Sequence, residues 1–214
     1  MAPSRKYPKG DIKREEVLEA AATMIAEQGW DAISIRGLAA RVGLSATAVV
    51  HHVGSKDELL LELLRRRDRP RGRSFEGLGA DESLGLMLAE LSENRRVSGM
   101  RELYIRLSAE ATAPDHVARE FFRARYRELE DIGSRIFAEL QESGRLPDHV
   151  DPASIATLVV ALIDGLQLQS FFRPEVDVVT QFQSFLRLIL GAEADSLVDS
   201  GIDLGRTPPE PDET

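Results

Sequence analysis

The sequence contains no cysteine, which excludes disulfide bonds, thiolate zinc sites and a cysteine nucleophile. Residues 1–15 carry basic side chains without an apolar run, so we predict neither a signal peptide nor a membrane anchor. No stretch of about 18 residues is free of polar breaks, which argues against a transmembrane helix and predicts a cytoplasmic protein. No segment alternates apolar and polar residues with a period of two, so the expected fold is all-α.

Recognisable catalytic and metal-binding motifs are also absent. The chain has no nucleophile motif, phosphate-binding loop or metal signature, so we predict no catalytic residue, no cofactor and no enzyme activity. The adjacent histidines His51 and His52 would point about 100° apart on a helix, and neither has a carboxylate four residues later. We therefore predict no metal site.

The net charge of −9 is unevenly distributed along the chain. Residues 1–73 hold 14 Lys and Arg against 10 Asp and Glu, whereas residues 74–214 hold 13 against 26. A basic amino-terminal part on an acidic body suits a protein that directs one end towards DNA. A solvated arginine-rich loop at residues 65–73 explains part of this asymmetry equally well.

Residues 34–53 have the pattern of two short helices separated by a glycine. Apolar residues recur at intervals of three and four along the first of them: Ile35, Leu38, Ala39 and Val42. Ser34 can cap this helix by accepting an amide hydrogen bond, and Gly43 can adopt the left-handed conformation that turns the chain. The pattern predicts a helix-turn-helix.

The second helix of this motif is expected to bury Val49 and Val53 and to begin after the capping residue Ser45. Its outward face could then enter a DNA major groove, with Thr47 bonding to a base edge or phosphate and the methyl groups of Ala46 and Val50 contacting thymine. The predicted DNA-contacting residues are Arg36, Ser45, Ala46, Thr47, Val50, His51, His52 and Lys56.

The segment from Ser34 to Leu60 resembles the DNA-binding domain of the tetracycline-repressor (TetR) family of transcriptional regulators. The resemblance is carried by residues 34–45, by His51-His52-Val53 and by residues 55–60, SKDELL, and it covers roughly the first third of the chain. Val50 stands where family members often have a tyrosine whose hydroxyl reaches a phosphate. The resemblance implies that Lys56 touches the DNA backbone.

The remaining chain is predicted to form further helices, about nine in total. We expect a head at residues 1–69, with a helix-turn-helix at 34–53 and a linking helix at about 55–69 that Pro70 stops. A helical body would follow at residues 70–191, and residues 192–214 would form a disordered acidic tail. Residues 1–10 are expected to be a mobile arm.

The family resemblance implies an effector pocket among the middle helices and a dimer formed through the last two. Candidate pocket residues combine aromatic surface with polar groups, although ordinary core packing explains each of them as well: Tyr104, Phe121, Phe122, Tyr126, Gln167 and Phe171. The segments 152–172 and 176–190 are apolar on more than one side, which favours a four-helix bundle with a second copy. The predicted interface residues are Leu158, Leu162, Leu166, Phe182, Leu186 and Ile189.

We therefore predict a homodimeric regulator, most simply a repressor, that binds a palindromic DNA operator and is released by a small-molecule effector. One alternative is a dimeric helical sensor or protein-interaction module whose head docks protein. Another is a small α-helical enzyme. The sequence does not specify the operator, the effector, the regulated genes or the direction of regulation.

Overall fold

The computed structural model describes residues 9–94 and 98–191. These residues form helices and connecting turns, with no β-strand in the described ranges. The α-helices are α1 (Lys9–Gln28), α2 (Ile35–Val42), α3 (Ala46–Val53), α4 (Lys56–Ser74), α5 (Ala80–Asn94), α6 (Ser98–Glu110), α7 (Arg119–Glu142), α8 (Pro152–Phe172) and α9 (Val178–Leu190), with a short 3-10 helix at Trp30–Ala32. The predicted all-α fold is confirmed.

The predicted acidic tail and nearly all of the predicted arm lie outside the described residues, and α1 already begins at Lys9. The chain divides into two compact units. The first unit comprises Met1–Arg73 and Val97–Ala124, and the second comprises Ser74–Arg96 and Arg125–Thr214. The first unit thus contains α6 and the start of α7 in addition to the amino-terminal helices.

One helix boundary differs from the sequence-based expectation, and another follows a run of turns. Helix α4 does not stop at Pro70 but continues to Ser74. A proline in a helix interior removes one backbone hydrogen bond and costs roughly 3 kcal/mol, so local helix propensity does not explain why α4 continues past Pro70. Helix α7 begins at Arg119, because residues 111–118 form successive turns, one of them closed by the His116 amide donating to the Ala113 carbonyl at 3.2 Å.

The core of the first unit lies where α1 meets α2, α3 and α6. Val17, Leu18 and Ile25 of α1 are buried there. Gly99 near the start of α6 approaches α1 closely, since a Cβ atom at this position would lie 2.5 Å from the Ile25 carbonyl oxygen. The absence of a side chain at Gly99 therefore allows α6 to pack directly on the backbone of α1.

In the second unit, α5, α7, α8 and α9 bury side chains in a common core centred on Phe137 and Phe182. Gly133 of α7 fits against Ala156 of α8, because an added Cβ would come within 2.9 Å of the Ala156 Cβ. Asp151 caps α8 by accepting a hydrogen bond from the Ser154 amide at 2.9 Å, and Pro152 occupies the first turn of the helix.

Helix α8 is long and apolar enough to cross a membrane by length and composition alone, although polar residues, among them Asp164, interrupt it as expected. This criterion is weak for a single helix, because core helices of other proteins satisfy it too. Helix α8 buries Ile155, Ala156, Val159 and Leu166 within the second unit. Its apolar composition therefore has an explanation in packing between helices.

Candidate nucleic-acid interface

The α2-turn-α3 segment is built by local hydrogen bonds that the sequence anticipates. The Ser34 hydroxyl oxygen accepts a hydrogen bond from the Gly37 amide at 3.0 Å. Gly43 adopts the left-handed conformation with φ of 66°, and the Leu44 amide donates to the Ala39 carbonyl at 3.0 Å. These contacts end α2 sharply and redirect the chain into α3. The predicted capping residues and turn are confirmed.

Helix α3 separates a buried face from an exposed one. Val49 and Val53 are buried in the first unit, whereas Thr47, Val50 and His51 are exposed. Ala46 and His52 are half-buried. The Ser45 side-chain oxygen accepts a hydrogen bond from the Ala48 amide at 3.1 Å, so this predicted DNA contact also has a capping role. The arrangement leaves the outer side of a short, firmly capped helix open to a partner.

The start of α4 is fixed by a reciprocal pair of hydrogen bonds. The Glu58 carboxylate accepts a hydrogen bond from the Ser55 amide at 2.7 Å, and the Ser55 side-chain oxygen accepts one from the Glu58 amide at 3.2 Å. The Ser55 backbone bond, followed by its side-chain bond, lowers the pKa of Glu58 below its ordinary value. Both backbone amides are thereby satisfied, which holds Lys56 in the first turn of the helix.

Lys56 makes a contact that sequence reasoning missed. Its Nζ atom lies 4.8 Å from the centroid of the Trp30 ring, within the range of a cation–π interaction. Trp30 itself is buried. The two residues are distant in sequence and share no local pattern, so no signal in the sequence pointed to their contact.

The arginines of the first unit differ in how they are neutralised. Arg41 pairs with Glu27 at 2.9 Å, and Arg66 forms a two-pronged pair with Glu15 at 2.6 and 2.7 Å. Arg36 is exposed and forms no ion pair with another side chain in the described ranges. Its guanidinium is therefore accessible to an external anion such as a DNA phosphate.

The turn before α7 also contacts the first turn of α4, and sequence reasoning did not find this contact. His116 Nε2 lies 3.9 Å from the Asp57 carboxylate, one residue from Lys56. The Nδ1 atom of His116 accepts a hydrogen bond from the Ala118 amide at 3.1 Å, which orients the ring. The first unit thus connects its α6–α7 corner to the end of α4 that carries Lys56.

The six candidate pocket residues are distributed over both units. In the first unit, the Tyr104 and Phe122 rings pack edge to face at a centroid distance of 5.3 Å, and Phe121 packs on Phe122 at 5.2 Å. Tyr104 and Phe122 are buried, and Arg67 lies over the Tyr104 ring at 5.1 Å. These contacts account for the three aromatic residues as parts of a packed cluster.

In the second unit, Tyr126 of α7 donates a hydrogen bond to the Asp164 carboxylate of α8 at 2.8 Å. Burial raises the pKa of Asp164, while the bond from Tyr126 and the nearby Arg125 oppose this shift. Gln167, one turn further along α8, is half-buried, and Phe171 is exposed. Asp164 was not among the predicted site residues, although it is the only charged side chain in α8.

The predicted dimer residues fall into two groups. Leu166, Phe182 and Leu186 are buried in the core of the second unit, so a second chain cannot reach them, and this corrects their assignment to an interface. Leu162 and Ile189 are partly buried against the same core, and Leu158 is 56% exposed. Both helices carry apolar residues all round, so their sequence alone did not show which side faces the core.

The exposed side of α8 carries a continuous stripe at alternating intervals of three and four residues. We call this the α8 stripe: Leu158, Ala161, Gly165, Leu168 and Phe172. Phe172 is 79% exposed, and Leu188 of α9 is 82% exposed. Gly165 has open space where a Cβ would be and lies in a regular helix, so nothing in the chain itself requires glycine there. An interval of three and four residues is the spacing that helices use to pack together.

No group of three or more metal-ligating side chains is found among the residues that the structure describes. His51 and His52 lie edge to face at a ring distance of 5.6 Å, on the last turn of α3.

Comparison with known proteins gives two family matches. Residues 17–63 match the model of bacterial regulatory proteins of the tetR family, and residues 87–193 match that of the BetI-type transcriptional repressor carboxyl-terminal domain. The chain is 26% identical over 168 residues to the transcriptional regulator PksA of Bacillus subtilis, covering 76% of this chain and 80% of the relative. It is 43% identical over 53 residues to the transcriptional repressor KstR2 of Mycobacterium tuberculosis, covering 25% of this chain and 26% of that protein.

Solved structures show the same fold. A putative transcriptional regulator from Saccharomonospora viridis, in complex with choline, has a TM-score of 0.67 and 24% identity. The match covers 83% of this chain and 94% of the regulator's chain. SmeT, the repressor of a multidrug efflux pump of Stenotrophomonas maltophilia, has a TM-score of 0.63 and 23% identity. The match covers 84% of this chain and 89% of the SmeT chain.

Proposed function

Because the chain belongs to the TetR family of bacterial regulators and is a DNA-binding transcriptional regulator, we propose that it is a homodimeric repressor released from its operator by a small molecule. The observation that carries the proposal is the exposed face of α3, held outward by the buried pair Val49 and Val53 and by the caps at both ends of the turn. PksA, BetI, AcnR and KstR2 relatives are all named regulators or repressors.

We assign DNA contacts to the exposed face of α3 and the cations beside it. Thr47, Val50 and Ala46 would contact base edges, whereas Arg36 and Lys56 would contact phosphates. Ser45, His51 and His52 would contact DNA at the edges of this interface. Two α3 helices about 34 Å apart would enter successive major grooves, so the operator is expected to be palindromic. Phosphate contacts would set affinity and its salt dependence, and base contacts would set the sequence.

The predicted division into a head at residues 1–69 and a body at residues 70–191 remains our proposal for how the functions are separated. The head would bind DNA, and the body would bind the effector and the second chain. The two described compact units divide the chain differently, since residues 97–124 belong to the first. The contact between His116 and Asp57 supports a link from the α6–α7 corner to the DNA-contacting end of α4.

For the dimer, we keep Leu158 from the predicted residues and replace the others by the remaining residues of the α8 stripe together with Leu188 of α9. Exposed leucine and phenylalanine side chains at helical spacing are favourably covered by a second apolar helix. The small residues Ala161 and Gly165 at the centre of the stripe would allow two helices to approach closely. Two α8 and two α9 helices would then form a four-helix bundle across a two-fold axis.

For the effector, we propose a small organic molecule that bonds to Asp164 and Tyr126 in the second unit, with Gln167 on the same face of α8. A half-buried carboxylate paired with a tyrosine hydroxyl can orient a polar or cationic ligand in apolar surroundings. Since a structural neighbour carries choline, quaternary ammonium compounds are the first to test. The packed cluster of Tyr104, Phe121 and Phe122 is the alternative wall in the first unit.

The DNA-binding proposal is tested by fluorescence anisotropy with the DNA upstream of the protein's own gene and with duplexes selected from a random library. We expect salt-dependent binding, and Lys56→Ala should reduce the slope of log affinity against log salt by about 1 per chain. Lys13→Ala, which removes an exposed lysine already paired with Glu16, is the matched control. If no duplex raises the anisotropy at low salt, the proposal is contradicted.

The dimer is tested by light scattering at micromolar concentration. The wild-type chain is expected to have twice the monomer mass, whereas Leu158→Glu combined with Leu168→Glu should give the monomer mass, because four charges would be buried in one dimer. Val117→Glu, at an exposed valine of the first unit, should leave the mass unchanged. A wild-type monomer would refute the proposed interface.

A further inference from the structure

The composition of α3 restricts how this helix can read DNA. The helix consists of ATAVVHHV and contains no arginine, lysine, asparagine or glutamine. These are the side chains that form paired hydrogen bonds with guanine or adenine in the major groove. The hydrogen-bonding groups of α3 are the Thr47 hydroxyl and the two imidazoles, and the imidazoles lie in its last turn. Base recognition usually uses the amino-terminal part of the recognition helix, which here offers mainly methyl groups.

Val50 is the most exposed apolar side chain of this face. It is 46% exposed, although Val49 and Val53 on the other side of the same helix are buried. A valine in a helix has one strongly preferred rotamer, so its methyl groups are held in a fixed direction and lose little freedom on binding. Ala46 lies four residues earlier and therefore on the same face. The pair forms a small, rigid apolar surface at the position where the helix meets a groove.

The only apolar group that a base pair presents in the major groove is the C5-methyl group of thymine. We propose that α3 discriminates its operator mainly through thymine methyl groups that contact Val50 and Ala46. This inference rests on the proposed function, because it specifies the chemistry that the same helix reads. The operator half-site then contains at least one thymine whose methyl group, rather than its hydrogen-bonding atoms, determines affinity.

The experiment replaces each thymine of a selected duplex in turn by deoxyuridine, which removes the methyl group and keeps every hydrogen-bonding atom. The full chain is titrated by fluorescence anisotropy at constant salt. At one or two thymines per half-site we expect roughly fourfold weaker binding, the effect of losing one buried methyl group. The remaining thymines should be insensitive. If no thymine is sensitive, the inference is wrong even though DNA binding stands.

A variant of Val50 separates methyl contact from indirect effects on DNA shape. Val50→Ala should weaken binding to the thymine duplex and reduce the additional loss at the thymine that contacts Val50, because the branched methyl groups of the valine are gone. Val50→Thr keeps the branched shape and should reduce the same sensitivity, which provides a test if the alanine variant is poorly folded. Retained sensitivity in both variants would overturn the inference.

The matched control is Val117→Ala, at a valine of the α6–α7 corner that is 43% exposed, nearly as exposed as Val50. It should leave affinity and thymine sensitivity unchanged, because Val117 is not on α3. Failure to enrich any duplex in the selection would refute the proposed function itself. That result is distinct from the enrichment of a duplex whose thymines are all insensitive, which refutes only the thymine-methyl contact.

Discussion

Helices α3 and α8 both expose apolar side chains, but they do so on different scales. Helix α3 is short and exposes one valine beside polar neighbours, whereas α8 exposes a stripe that runs along most of its length. A single rigid methyl surface suits contact with a base edge, and a long stripe requires another helix to cover it. The extent of exposed apolar surface therefore distinguishes a proposed DNA contact from a proposed protein contact.

The two regions also differ in what determines their geometry. The α2-turn-α3 segment is fixed by serine caps and a left-handed glycine, each of which acts within a few residues. The orientation of α8 and α9 depends on which of several apolar sides packs against α5 and α7, and that choice is made by distant residues. The following predictions test this difference, from the largest expected effect to the smallest.

The largest effect is an expected difference in the free energy of unfolding between alanine variants of two phenylalanines in the second unit, one buried and one exposed. Phe182→Ala removes a side chain that is completely buried, so it should lower the free energy of unfolding by about 3–5 kcal/mol. Phe172→Ala removes an exposed ring and should leave the free energy of unfolding of the monomeric chain almost unchanged. Urea unfolding, carried out in the monomeric Leu158→Glu, Leu168→Glu background, measures both. Equal losses would show that the assigned core face of α8 and α9 is wrong.

A smaller effect is expected for two glycines that both have open space around a potential Cβ. Gly43→Ala should lower the free energy of unfolding by about 1–2 kcal/mol, since φ of 66° strains any residue with a side chain. Gly165→Ala in the same monomeric background should raise it by up to about 1 kcal/mol, because alanine favours helix. In the otherwise wild-type chain, Gly165→Ala should weaken the dimer. Thermal unfolding and light scattering measure these changes, and a stabilising Gly43→Ala would contradict the local origin of the turn.

The smallest effects concern two carboxylates with opposite pKa shifts. The lowered pKa of Glu58 contributes stability above the ordinary glutamate pKa, and this is lost as pH falls through the lowered value. The raised pKa of Asp164 contributes stability that is present at low pH and lost as pH rises through the raised value. At neutral pH, Glu58→Gln should therefore destabilise the chain. Asp164→Asn should stabilise it, because the substitution removes an unfavourable charge.

Both differences are expected to stay below about 1 kcal/mol, since solvent screens the exposed Glu58. The Asp164→Asn difference should shrink towards zero as the pH falls towards the ordinary aspartate pKa, whereas the Glu58→Gln difference should decline only below the ordinary glutamate pKa. Urea unfolding at several pH values measures them against the wild-type chain. Asp151→Asn is a useful reference, because its carboxylate also accepts hydrogen bonds at a helix start and its pKa is lowered like that of Glu58. Differences of the same sign for Glu58→Gln and Asp164→Asn would contradict the stated causes of the two shifts.

Much of the first unit was predictable because its signals are local. The caps at Ser34, Ser45 and Ser55, the turn at Gly43 and the burial of Val49 and Val53 all depend on hydrogen bonds or helical spacing within a few residues. The stop at Pro70 was the exception. Proline costs roughly 3 kcal/mol in a helix interior, yet α4 continues to Ser74, so here the local signal predicted the wrong helix end.

By itself, the sequence determined that the chain is all-α, that it contains a helix-turn-helix, and which side of α3 faces outward. Only the tertiary structure decided that Phe182 and Leu186 belong to the core and that Leu168, Phe172 and Leu188 are exposed. It also brought Lys56 to Trp30 and Tyr126 to Asp164. Local hydrogen bonds and helical period are encoded within a few residues, whereas the buried side of a helix that is apolar all round depends on which distant helices pack against it.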